Sequence, residues 1–103
     1  MSMLQDRVDA AGLAHKWIVR SVRLPGLLTT KIIMKCCDKW FFPVVYRAVV
    51  NPTSHDHVYT VEVNGIMVKS ASRYWFAVMV GIQELIKLAG LCEALAEAEG
   101  MCD

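Results

Sequence analysis

The residue types able to do chemistry gather in two short stretches of this 103-residue chain. His55-Asp56-His57 places two imidazoles two residues apart, which on an extended segment point to the same side, as metal ligands would. A zinc site needs three or four ligands, and nothing nearby in sequence supplies the rest at a usual spacing. His55 and His57 are therefore weak metal candidates, and the expectation is a chain without metal or cofactor. Ser54, His55 and Asp56 are the residue types of a hydrolytic triad, but adjacent residues cannot aim at one another, and triads are assembled from residues far apart in sequence. The second stretch is Cys36-Cys37, where Lys35 and Lys39 can lower a thiol pKa without creating a nucleophile. No Gly-rich phosphate loop of the GxGxxG or Walker type is present. The residues thus predict no enzyme.

Charge carries more information. Residues 1–50 hold eight Lys/Arg against three Asp, and residues 51–103 hold three against seven acidic residues, although the whole chain is only +1. Such a division points to a charged partner. Lys16, Arg20 and Arg23 are spaced by four and three, and Lys31, Lys35 and Lys39 by four, so each set lines one face of a helix. Two cationic ridges of this kind can follow phosphates, with affinity falling steeply in salt, or meet an acidic protein groove, where charge supplies on-rate and orientation. A solvated face that keeps an apolar chain soluble needs no partner at all.

The length suits one domain, taken as 1–103, and the 55% apolar content is rich for a small monomer. A partner or a second copy can cover the excess. The longest uncharged stretch, Tyr74 to Gln83, is about half a bilayer span. Asp6, Arg7 and Asp9 stand where a secretory signal needs its apolar core. A cytoplasmic, reducing setting follows as the expectation, with Cys36, Cys37, Cys92 and Cys102 as free thiols and no membrane role.

The elements that must position these residues read as α+β. Ser2 can cap a helix over about 3–23, whose stripe runs through Leu4, Val8, Ala11, His15, Ile18 and Val22 and puts His15 in a seam suited to self-association. Lys16 to Leu24 also alternates as a strand would, with Gly12 marking the change, but one helix is preferred. After Pro25-Gly26, Ile32, Ile33, Cys36, Cys37, Trp40 and Phe41 share a face opposite Lys31, Lys35 and Lys39, which predicts a second helix over about 30–41, stopped by Pro43. Strands are expected at about 44–50, 57–63 and 66–70, the last two joined by Asn64-Gly65 in a type I′ turn that sets Val63 opposite Ile66 and Val61 opposite Val68. Tyr59, Val61, Val63, Ile66 and Val68 then share the core face, and Lys69 the other.

A long helix over about 72–98, capped by Ser70 or Ser72, completes the pattern, with Gln83, Glu84, Lys87, Glu93 and Glu97 as its polar stripe. Gly81 marks a close approach or a break. Projected backward, that stripe reaches only Val80, Phe76 and Arg73, so the first turns are apolar all round. Tyr74, Trp75, Phe76, Met79 and Val80 are accordingly a candidate partner surface. The Asn-Gly hairpin followed by a long helix resembles, over roughly residues 44–90, the layout of double-stranded RNA-binding domains. That family's lysine cluster at the start of its last helix is replaced here by Ser72-Arg73-Tyr74-Trp75.

The expected architecture is two N-terminal helices, a three-stranded antiparallel meander, and a long C-terminal helix packed on it. The expected function is a small non-catalytic binding module docking on a larger protein as inhibitor or adaptor, with the plainness of phage and mobile-element accessory proteins. The alternative is nucleic-acid binding through Lys16, Arg20, Arg23, Lys31, Lys35 and Lys39.

Overall fold

The computed structural model describes residues 3–25, 29–37, 44–54 and 58–100. The chain runs α1 (Met3–Ala10), β1 (Trp17–Arg23), β2 (Thr30–Cys36), β3 (Val45–Pro52), β4 (Tyr59–Val63), β5 (Ile66–Ala71) and α2 (Tyr74–Ala98). The strands form one antiparallel sheet in chain order. The α+β class and the long C-terminal helix lying on the sheet agree with the sequence reading. The two N-terminal helices and three strands do not, since there is one short helix and five strands.

Both corrections have the same cause. The helix expected over 3–23 stops at Ala10, where Gly12 takes a left-handed φ of 72°, and the chain re-enters as β1. Its Trp17 and Val19 are buried, while Arg20 and Val22 are exposed. His15 lies outside α1, so no continuous helical seam exists for it to occupy. In the segment expected as helix 30–41, Thr30, Ile32, Met34 and Cys36 are buried in strict alternation with Lys31, Ile33 and Lys35. Thr, Ile and Val are stiff at χ1 and fit a pleated surface. Pairing with β1 on one side and β3 on the other then decides in favour of strand.

At the Asn64-Gly65 turn both residues have positive φ, 50° and 83°, and Val63 faces Ile66. A bulge then takes Val68 out of the ladder, so Val61 pairs with Lys69 rather than Val68. Lys69 is thereby moved by one position to the face that carries Val61, the reverse of the expectation.

The core lies between the sheet and the helices. Ile32, Val50 and Val61 from the sheet meet Val78, Ile82 and Leu85 of α2, each burial contributing roughly 1.5–3 kcal/mol. α2 comes close because Gly81 has no side chain. A Cβ there would stand 3.3 Å from Ile32 Cδ1 and 3.5 Å from Ala48 Cβ. The N-cap is Arg73, with no side-chain cap hydrogen bond, so neither Ser70 nor Ser72 serves. By length and composition alone α2 is long and apolar enough to cross a bilayer; in this fold Ala77, Val78, Ile82, Leu85 and Ala89 are buried.

Glu93, read as part of the exposed stripe, is buried. Its carboxylate accepts from Ala14 N at 2.8 Å, His15 N at 2.7 Å and Trp17 Nε1 at 3.0 Å. Three donors satisfy a charge that burial would otherwise make costly. The far end of α2 is thus fastened to the segment that leads into β1.

Candidate functional site

Strand alternation sorts the cations. Residues of β1 with odd numbers face the helices and those with even numbers face away, and pairing carries the second set across the sheet. Arg20 stands beside Ile33 and Ile33 beside Arg47; Ile18 beside Lys35 and Lys35 beside Val45; Val22 beside Lys31, then Val49 and Glu62. Among the described residues no element covers this face. Arg20, Lys31, Lys35 and Arg47 are all exposed, and so are Val22 and Val45. The result is a checkerboard of four cations and aliphatic side chains, with Glu62 the one carboxylate in its rows. None of the four cations forms an ion pair with a described residue.

The surface is concave at one end. A hollow of about 500 Å³ is lined by Lys31, Val45, Arg47, Val49, Glu62 and Asn64. The hairpin tip closes it, because Asn64 N donates to Arg47 O at 2.9 Å and Arg47 N donates to Asn64 Oδ1 at 3.2 Å. The turn that the sequence marks most clearly therefore also holds Arg47 in place.

Of the six basic residues singled out, Arg20, Lys31 and Lys35 share this face. They do so as alternating strand residues, not as ridges on two helices. Arg23 has the other parity and lies on the helix side, its guanidinium 5.2 Å from the centre of the Tyr74 ring. Lys16 precedes β1 and lines a separate hollow of about 170 Å³ with Asp9, Leu13 and His15. Lys39, His55 and His57 lie outside the described residues, and no group of three metal-binding side chains occurs among those described. Arg47 was missed, although its position two residues into a β-branched run was a usable signal.

The apolar candidates divide as well. Tyr74 turns inward, its hydroxyl 2.6 Å from Thr30 Oγ1 and its ring edge-on to Tyr59 at 5.7 Å. Met79 and Val80 are half-buried. Trp75 and Phe76 point outward, 48% and 59% exposed, as do Ile66 and Met67 of β5 at 70% and 62%. Ile66 was assigned to the core face; it stands opposite Val63 as expected, ahead of the bulge, yet at the hairpin tip it is exposed.

Cys36, Cys37 and Cys92 are in no disulfide. The Tyr46 phenol is pushed up to about 12, first by burial and then by the neighbouring Cys92 thiol. Tyr46 also stacks on Trp17, with centroids 6.0 Å apart. This cluster ties β1, β3 and α2 together and is structural. No protein-family model, curated protein or solved structure matches the chain.

Proposed function

We propose that this chain is a non-catalytic binding module that docks on an acidic surface of a larger protein, as an adaptor or inhibitor, through the uncovered face of its sheet. The observation that supports this reading is the interleaving of Arg20, Lys31, Lys35 and Arg47 with Val22, Ile33, Val45 and Val49 on one open face. Unpaired cations steer and orient an acidic partner. The aliphatic side chains between them lose water only against a complementary apolar surface, which protein interfaces provide at their centres.

Affinity capture with the wild-type chain and with the Lys31→Gln/Lys35→Gln/Arg47→Gln variant tests it. The expected result is a partner cross-linked to this face through Asp- and Glu-rich peptides and held about tenfold less well by the variant, three exposed pairs at about 0.5 kcal/mol each. Equal retention by both chains would return the face to solvent.

The cations also favour a second reading, a nucleic-acid surface that follows phosphates. Two features weigh against it. The described residues of the face include no aromatic ring on which bases could stack, and half of its positions are aliphatic. Titration of duplex DNA and duplex RNA at low salt separates the two readings. No binding is expected; binding whose logarithm falls with log salt at a slope near four phosphates would favour the second.

A further inference from the structure

We infer that this chain seats itself on an anionic bilayer surface through the outer flank of the first half of α2, at the depth of the lipid headgroups and without spanning. Two apolar stripes make that flank. Trp75 and Met79 form one and Phe76 and Val80 the other, each pair four residues apart and so one above the next on the helix. Val78, Ile82 and Leu85 hold the opposite side of α2 against the sheet, which leaves about half of the Trp75 and Phe76 surfaces to water. Rings of this size, exposed side by side, are what the headgroup layer of a membrane takes in.

The charges around the rings point the same way. Phe76, Met79 and Val80 share a hollow of about 310 Å³ with Arg7 of α1, Lys69 of β5 and Lys87 of α2. Glu84 is the one carboxylate in its lining, and Lys87 already holds it at 3.4 Å. Arg7 and Lys69 form no ion pair with a described residue. Exposed Arg73 adds a cation just ahead of Trp75. Asp6 is exposed beside Arg7 in sequence, and Asp9 belongs to the separate hollow of Lys16, so the cations around the rings outnumber the carboxylates. The other carboxylates of α2, Glu93 and Glu97, stand about 25 Å or more along the axis from Phe76. The helix is thus polarised, with rings among cations in its first half and acids at its far end. An anionic surface draws the first and repels the second.

A bilayer fits this flank better than a folded partner does. On neighbouring stripes of one turn, Trp75 and Phe76 leave the helix about 100° apart. A rigid acidic protein would have to clasp both, whereas the headgroup layer yields to side chains of either direction. Nucleic acid would stack on the two rings but gain nothing from Met79 and Val80. The cations of the open sheet face lie on the other side of the sheet, so this contact is independent of the docking proposed above.

Flotation with phosphatidylcholine vesicles, pure or with about 30% phosphatidylserine, tests it. The chain should float with the anionic vesicles at ~0.1 M salt, stay below with the neutral ones, and be released at ~0.5 M. Tryptophan emission should shift to the blue on binding. Trp75→Phe should abolish that shift while the chain still floats, since Trp17 is buried already. Trp75→Ser/Phe76→Ser, with circular dichroism unchanged, should weaken binding at least about tenfold, and Arg7→Gln/Lys69→Gln should do so without touching the rings. Lys31→Gln/Lys35→Gln should stay within about twofold of wild type. Absence of flotation with anionic vesicles at low salt overturns the inference. Flotation that survives both the ring and the Arg7/Lys69 substitutions, or that is lost with Lys31→Gln/Lys35→Gln, overturns it by placing the contact elsewhere. Binding of poly-glutamate by a chain that leaves vesicles alone would give the flank to an acidic protein instead.

Discussion

Replacing Glu93 with Ala leaves Ala14 N, His15 N and Trp17 Nε1 without their acceptor. Orphaned donors each cost about 1–3 kcal/mol when water cannot reach them, and partial re-solvation of the loop lowers the sum, so the loss should be about 3 kcal/mol in urea unfolding. Glu93→Gln keeps an acceptor but turns an amide donor toward one of the same N–H groups, and should fall between. A loss below about 0.5 kcal/mol for Glu93→Ala would mean that the carboxylate is incidental. Tyr46 makes a second residue-scale prediction. Its folded pKa of about 12 lies above the unfolded value of 10.0, so between those pH values the unfolded chain releases a proton that the folded chain keeps. Stability from this group is therefore full below pH 10 and declines as pH rises toward 12. Tyr46→Phe should flatten that alkaline decline in thermal melts, and an identical slope in both proteins would remove Tyr46 as its source.

Gln5 and Gly81 decide how whole elements sit. Gln5 Nε2 donates to Trp17 O and Val19 N donates to Gln5 Oε1 at the edge of β1, so Gln5→Ala should speed exchange of the Val19 amide about tenfold while central β2 and β3 amides hold. Uniform change across the sheet would show a global rather than an edge effect. At Gly81, an added methyl meets the mobile end of Ile32 at 3.3 Å, and the helix gain of Ala over Gly, about 1 kcal/mol, offsets that crowding. Gly81→Ala should be nearly neutral. Gly81→Leu should prise α2 from the sheet and cost about 3 kcal/mol in chemical unfolding. The α2 helix, the Asn64-Gly65 turn and the strands around it were legible because their signals are local. β1 and β2 were not. Lys31 and Lys35, four apart, satisfy a period of 3.6 nearly as well as a period of two, and only pairing with chain distant in sequence resolves the choice.

On the scale of the molecule, five strands and a helical layer leave one broad face of the sheet uncovered by any other described residue, and the basic half of the sequence supplies most of that face. The imbalance between the two halves of the chain was legible from counts, although Arg20 was expected on a different helix from Lys31 and Lys35, and so was the shared side of those two lysines. Their true neighbour Arg47 was not, because it reaches them across the β2–β3 register, which no spacing encodes. Likewise the turn of Lys69 to the helix side depends on a one-residue bulge. If the open face is where partners dock, its occupation should protect the side chains of Lys31 and Lys35 from acetylating reagents and leave Lys87, on the far side of the molecule, reactive. Equal protection of all three would argue for a different surface.

The Glu93 clasp also orders events in time. Its three donors precede it by 76 to 79 residues, so the ribosome has made the whole sheet before it makes the group that fastens the sheet's first strand. Until then Trp17 and the segment between α1 and β1 are unfastened, although Val78, Ile82 and Leu85 have already been made, and contacts of such sequence separation form slowly. Nascent chains stopped just before residue 93 should therefore be bound by holding chaperones and cut readily between α1 and β1, while chains released after it should be resistant.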